Sequence, residues 1–105
     1  MDYMVRDGDG VREVFLKGQL TFEADEDFRK IIGGMEKDRD GAGVLEMVLD
    51  MGGLDFIDSA GLGLLVLANN TANRCHVRLT MRGPRGQVRD LIEMSEFHTL
   101  IPCEF

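Results

Sequence analysis

The sequence predicts an α/β fold: a mixed sheet of four to five strands flanked by three helices, with residues 1–105 forming one domain. Three observations carry that reading. Two short β-type runs flank a repeated Asp-Gly near the start of the chain. Segments with apolar residues at helical spacing then alternate with strand-like apolar runs. Neither an internal repeat nor a linker interrupts the chain. The expected order is β-β-α-β-α-β-α-(β), which implies right-handed crossovers and a sheet with a parallel part. Folding at this length buries roughly two-thirds of the unfolded chain's surface, enough for one hydrophobic core.

Residues 3–6 and 11–17 are the two β-type runs. Asp7-Gly8-Asp9-Gly10 between them is a hairpin signal, because Asp and Gly tolerate the positive φ of tight turns. Residues 23–37 place Ala24, Phe28, Ile31, Ile32 and Met35 on one helical face. Asp25, Glu26 and Asp27 near the start and Lys37 near the end suit the helix dipole. Gly33-Gly34 is expected to weaken this helix and fray it early. Asp40-Gly41-Ala42-Gly43 then breaks the chain. Residues 44–51 are apolar at six of eight positions without alternating, which predicts a central strand buried on both faces.

Residues 52–57 read as a loop, and Asp58-Ser59 opens a second helix that runs to about Arg74. Val77, Leu79 and Met81 alternate with Arg78, Thr80 and Arg82, the pattern of a half-exposed strand. Gly83-Pro84 is expected to start a third helix, with proline at its first position and Val88, Leu91, Ile92 and Ser95 on one face. Phe97, Leu100 and Ile101 suggest a last short strand.

Composition excludes several classes. Hydrophobic residues make up 44% and charged residues 30%, which argues against intrinsic disorder. The net charge is −7, concentrated in residues 1–58, where fifteen acids face seven bases. Such a surface repels phosphate backbones and anionic lipid, so neither nucleic acid nor a membrane is an expected partner. The longest apolar stretch, residues 62–68, is far below the roughly 20 residues of a membrane span. The first residues lack the basic and apolar regions of a signal peptide, and two cysteines make no disulfide framework. The expected setting is the reducing cytoplasm.

Enzyme and cofactor signatures fail in turn. Ser59 lacks one of the two flanking glycines of a hydrolase elbow, since Ile57 stands at the first position while Gly61 fills the second. Gly61-Leu62-Gly63 lacks the third glycine of a dinucleotide loop, and no phosphate loop with Gly-Lys-Ser/Thr occurs. Cys75, His76, His98 and Cys103 have no metal-site spacing, so neither metal nor cofactor is expected. What remains is Phe56-Ile57-Asp58-Ser59-Ala60-Gly61-Leu62-Gly63. A serine or aspartate here can simply cap free backbone N–H groups, a contribution of about 1 kcal/mol. The same helix start also suits a serine that carries phosphate, because the dipole and free N–H groups stabilise an anion. Gly61 and Gly63 are expected to leave room for a partner's active site. Both readings fit the residues.

That segment, following Leu49-Asp50-Met51, resembles the signature of STAS domains of the anti-sigma factor antagonist type. Gly18-Gln19-Leu20-Thr21 is similar to that family's turn between second strand and first helix, and Val88, Leu91, Met94 and Ser95 sit as in its third helix. The resemblance implies a phosphorylation-controlled binding switch rather than an enzyme, with Ser59 as the phosphorylated residue. An anti-sigma factor that is also a serine-protein kinase would be the partner of the unphosphorylated form, whose binding frees a sigma factor for transcription. A PP2C-type phosphatase would reset the switch. ATP and Mg²⁺ would belong to the kinase. The chain departs from the family in two places. Ala60 stands where a second hydroxyl residue is common, and Thr21 stands where many members carry Asp.

The expected partner-binding residues are Asp58, Ala60, Gly61, Leu62, Gly63, Leu67 and Thr21. On the second helix, Leu62, Leu64, Leu65, Val66, Ala68 and Ala72 form a broad apolar arc expected to face the core. Leu67 falls outside it and is read as part of the docking patch. Two rival readings use the same residues: a STAS subunit of a transporter or larger signalling assembly without serine phosphorylation, and a small serine hydrolase built on Ser59.

Overall fold

The computed structural model describes residues 1–38 and 44–105. The predicted break at residues 40–43 lies outside the described residues. The strands are β1 (Asp2–Gly8), β2 (Val11–Leu20), β3 (Glu46–Ile57), β4 (Arg78–Arg82) and β5 (Cys103–Glu104). The helices are α1 (Asp25–Asp38), α2 (Ser59–Cys75) and α3 (Gly86–Met94), and single 3₁₀ turns occupy Phe22–Ala24 and Phe97–Thr99. The five strands lie in chain order in one sheet. β1 is antiparallel to β2, and β2, β3, β4 and β5 run parallel. The predicted mixed sheet with three helices is the observed fold.

Each parallel strand is added on the same side of the last, so right-handed crossovers bring all three helices onto one face. Burial agrees. Val14, Leu16 and Leu20 of β2, Met47, Leu49 and Met51 of β3, and Leu79 and Met81 of β4 are buried. They form one cluster with Ala24, Phe28, Ile31, Ile32 and Met35, with Leu64, Leu65, Ala68 and Ala72, and with Val88 and Ile92. The expectation that β3 is buried on both faces is therefore corrected. Glu46, Val48 and Asp50 are only half-buried, because among the described residues no helix covers the second face.

That second face carries a charged lattice across four strands. Arg82 donates from Nη2 to Glu13 Oε2 at 2.8 Å and from Nε to Asp50 Oδ2 at 3.0 Å. Arg6 donates from Nη2 to the other Glu13 oxygen at 2.6 Å. The two guanidiniums lie 5.4 and 5.9 Å from the centre of the Phe15 ring, within cation–π range.

Several local expectations shift. The hairpin loop is only Asp9-Gly10, both at positive φ (53° and 80°), so Asp7 and Gly8 belong to β1. α1 continues through Gly33-Gly34 instead of fraying, because Ile31, Ile32 and Met35 pack into the core on either side of the pair. β3 starts at Glu46 and runs on through residues 52–57, which were expected to form a loop. The register with β2 slips there, and a Cβ on Gly53 would stand 2.7 Å from the Leu16 carbonyl. The glycines serve a close strand approach rather than a turn. α3 starts at Gly86, not at Gly83-Pro84, and Pro84 is buried ahead of it. Phe97, Leu100 and Ile101 do not form the expected last strand: Phe97–Thr99 is a 3₁₀ turn with Leu100 as its C-cap, and the last strand falls at Cys103–Glu104. Val66 is exposed instead of facing the core, because the sheet and α1 cover less than the full apolar arc of α2.

The Arg6 and Arg82 guanidiniums bonded to Glu13 hold its carboxyl below the usual carboxylate range. A carboxylate depressed in the folded chain stabilises it above the ordinary pKa, and that stabilisation fades as pH falls through the folded value. Glu13→Gln is therefore expected to lower the thermal midpoint at neutral pH and to converge with wild type in acid. Calorimetric scans across pH check this, and equal midpoints at neutral pH would count against it.

Candidate functional site

Leu20 and Ile57 end adjacent strands in register, so the residues that follow them, Thr21 and Asp58, emerge side by side at one edge of the sheet. The two ends are tied together. The Asp58 N–H donates to the Leu20 carbonyl at 3.4 Å. Asp58 has extended backbone angles and accepts the Gly61 N–H on Oδ1 at 2.9 Å, which makes it the N-cap of α2. Thr21 caps the 3₁₀ turn in the same manner, its Oγ1 accepting from the Glu23 N–H at 3.4 Å.

Ser59 is the first residue of α2 and is exposed. With the Gly61 N–H taken by the cap, helix geometry leaves the Ser59 and Ala60 N–H groups without intrahelical acceptors. The positive end of the α2 dipole lies at the same place. The arrangement can stabilise negative charge on Ser59 through backbone N–H groups and the helix dipole.

The neighbouring residues divide by direction. Ala60, Gly63, Leu64 and Leu67 share a groove with Phe22, Asp25 and Arg29 between α2 and the start of α1. Ala60 and Gly63 are exposed, while Leu62 and Leu67 are half-buried and pack partly on the core. Gly61 faces the other way. It is buried, and a Cβ there would stand 2.1 Å from the Leu20 carbonyl oxygen and 2.8 Å from Ile57 Cγ1. The expectation that both glycines leave room for a partner is corrected for Gly61, whose missing side chain lets α2 start against β2. Gly63 has open space around it.

Two contributors escaped the sequence reading. Phe22 is 71% exposed on the 3₁₀ turn, an aromatic at the rim of the groove. An aromatic directly after Thr21 and before an acidic helix start was the available signal. Gln87 holds the end of β3 from α3: its Nε2 donates to the Ile57 carbonyl at 2.8 Å and its Oε1 accepts the Ile57 N–H at 2.9 Å. No local pattern marks a glutamine for a contact across 30 positions. For the hydrolase reading, neither histidine lies on the turn that presents Ser59. His76 caps the opposite end of α2, about 25 Å away at 1.5 Å per residue, and His98 lies on the second 3₁₀ turn. Among the described residues no helix is long and apolar enough to cross a membrane.

A sheet with helices on one face, and a capped serine exposed where α2 leaves β3, defines the class of α/β domain to which known folds can be compared. The family model of the STAS domain matches residues 2–104, and the chain belongs to that family. No curated protein sequence matches it. Among solved structures, an anti-sigma factor antagonist from Mycobacterium paratuberculosis superimposes with a TM-score of 0.81 at 19% identity, covering 98% of this chain and 84% of that one. The anti-sigma factor antagonist SpoIIAA in its unphosphorylated form gives 0.78 at 19% identity over 99% and 89%. The phosphorylated form of the Bacillus protein gives 0.68 at 16% over 99% and 92%. A sulfate transporter family protein from Wolinella succinogenes gives 0.70 at 16% identity, over 86% of this chain and 70% of that one. At these identities the likeness establishes the fold.

The two glycines are expected to respond oppositely to alanine. Gly61→Ala should destabilise the chain by about 1–3 kcal/mol through the clash with the Leu20 carbonyl. Gly63→Ala should be neutral or stabilise by up to about 1 kcal/mol, from helix propensity alone. Denaturant titration of both variants measures the difference, and equal midpoints would refute the asymmetry.

Proposed function

We propose that the chain, as a single STAS domain over residues 1–105, is an anti-sigma factor antagonist switched by phosphorylation of Ser59. The observation that supports this most is the exposed Ser59 at the N-terminus of α2. Phosphate can be accommodated there by backbone N–H groups and the dipole, beside a groove edged by Phe22 and Leu67. SpoIIAA, a structural neighbour, exists in both unphosphorylated and phosphorylated forms.

In this reading the unphosphorylated protein docks an anti-sigma factor that is also a serine kinase, and so releases a sigma factor for transcription in the bacterial cytoplasm. The kinase brings ATP and Mg²⁺ and transfers the phosphoryl group, so this chain is a substrate and a binding partner rather than an enzyme. Ala60, Gly63 and Leu67 meet the kinase, with Leu62 behind them, while Asp58, Gly61 and Thr21 hold Ser59 and the groove in place. Phosphate adds about −1.5 to −2 charges. The helix start compensates that charge within this protein, whereas the apolar partner surface has no equivalent, and Asp58 adds like charge. Binding is lost while the fold is kept. A PP2C-type phosphatase restores the bound state.

A second reading takes its support from the likeness to the sulfate transporter family protein. There the chain is a STAS subunit of a transporter or larger assembly, and Ser59 is never phosphorylated. A pull-down from the native host separates the two: a kinase-type partner supports the switch, and a transport protein supports the subunit.

Incubation with the partner kinase and ATP, followed by mass spectrometric mapping, is expected to label Ser59 alone, and equal labelling of Ser59→Ala would refute it. In titration calorimetry, phosphorylated protein should bind the kinase at least tenfold more weakly, a loss of about 1.4 kcal/mol. Ser59→Asp should show a smaller loss, and Ser59→Ala none. Tighter binding after phosphorylation would reverse the direction of the switch.

The groove makes a separate prediction. Phe22 is largely outside the core, so Phe22→Ala should weaken kinase binding by about 1–3 kcal/mol with an unchanged thermal midpoint. Leu67→Asp should weaken binding as well, but with a measurable loss of stability because Leu67 also packs on the core. Unchanged binding by Phe22→Ala would remove the groove from the interface.

A further inference from the structure

We propose that the outer edge of β1 pairs with β1 of a second copy of this chain, antiparallel about a two-fold axis, to form a continuous ten-stranded sheet. β1 is bonded to β2 on one side only and forms the edge of the sheet. All seven of its residues are exposed, including Tyr3 at 36%, Met4 at 67% and Val5 at 44%. Its register with β2 has no bulge, and the strand contains no proline. Edge strands are ordinarily blunted by outward charge, proline or a bulge. Here the two central charges are drawn inward across the hairpin: Arg6 to Glu13 at 2.6 Å and Asp7 to Arg12 at 2.8 Å. A long, regular, partly apolar edge is left available.

The hairpin geometry says which backbone groups point outward. Asp9-Gly10 is a two-residue loop with both residues at positive φ, closed by the pair Gly8 and Val11. In such a hairpin the closing pair is hydrogen-bonded and the bonded pairs then alternate. Gly8, Arg6, Met4 and Asp2 therefore bond to β2, while Asp7, Val5 and Tyr3 direct their N–H and C=O groups away from the sheet. A second strand must align these odd-numbered residues with one another.

One symmetric register satisfies both backbone and side chains. With Met4 opposite Met4 of the second copy, Tyr3 and Val5 form two bonded pairs, an aromatic against a β-branched side chain. On the other face Asp2 stands opposite Arg6, twice, as opposite charges. Arg6 bonds Glu13 through Nε and Nη2, which leaves Nη1 for the aspartate. The neighbouring symmetric register, with Val5 opposite Val5, faces Asp7 with Tyr3 and Asp2 with Gly8, and forms no charge pair. Charge complementarity thus selects a second copy in the Met4-centred register, an isologous interface. It lies on the sheet edge, apart from Ser59.

Sedimentation equilibrium of the intact chain over about 1 µM to 1 mM is expected to show a monomer–dimer equilibrium. Val5→Pro removes an outward N–H without touching a bond to β2, so it should raise the dissociation constant at least tenfold with little change in thermal midpoint. Val5→Lys is the second variant, should proline disturb the hairpin. Met4 and its symmetry mate form a non-bonded pair with Cα atoms about 4.5 Å apart, within disulfide reach. Met4→Cys should therefore cross-link into a covalent dimer under mild oxidation, while Val5→Cys and wild type should not. Cross-linking by Val5→Cys instead of Met4→Cys would overturn the register. A chain that stays monomeric to 1 mM would overturn the second copy as occupant and leave the edge to an extended segment of a different protein.

Discussion

The Leu20 carbonyl, at the end of β2, is the point on which the geometry of this fold turns. It accepts the Asp58 N–H and stands where any side chain at position 61 would have to be. Leu20 also pairs with Ile57 in the parallel ladder, so the ends of β2 and β3 and the start of α2 meet within a few ångströms. Asp58 then has only one way to leave the sheet, and its carboxylate meets the Gly61 N–H as a cap. Ser59 follows as an exposed residue at the positive end of a helix. Gln87 closes the arrangement from α3 by bonding both backbone groups of Ile57. The site is an outcome of strand pairing rather than of a loop.

The sheet is asymmetric for a comparable reason. Parallel strands added in one direction with right-handed crossovers place every helix on the same face. The opposite face then has to remain stable against water. Arg82, Glu13, Asp50 and Arg6 do this by joining four strands, with Phe15 beneath two guanidiniums. Exposed ion pairs contribute little singly, and a network with bidentate arginine contributes more. One face thus holds the core and the other a polar lattice, and β1 closes neither.

Much of the fold was legible in the sequence because its helices and strands follow simple periods. The face of Ala24, on the 3₁₀ turn, and of Phe28, Ile31, Ile32 and Met35 on α1 is buried throughout, and the alternating strand at Leu79 and Met81 is where the spacing put it. The errors fall where a residue's local preference and its tertiary use differ. Gly52-Gly53 has the composition of a turn but serves strand contact, and Gly33-Gly34 sits in a helix that packing holds together. Gly83-Pro84 has the composition of a helix start but leads into one. Val66 reads as core by periodicity and is exposed, because the width of the groove between α1 and the sheet sets how much of α2 is covered.

For the site, the sequence by itself determined the candidate serine and the helix start at Asp58-Ser59, because capping is a contact between residues about three positions apart, and it left open which of the two side chains is the cap. Only the tertiary structure decided which glycine is structural and which is exposed. That choice depends on the Leu20 carbonyl, about forty residues earlier in the chain and a close neighbour in space. It also brought Phe22 to the rim of the groove and Gln87 to the end of β3. These pairings cross between elements and carry no periodicity along the chain. Local chemistry is written in short spacings, whereas the partners of a backbone group at a strand end are set by which strands lie beside it.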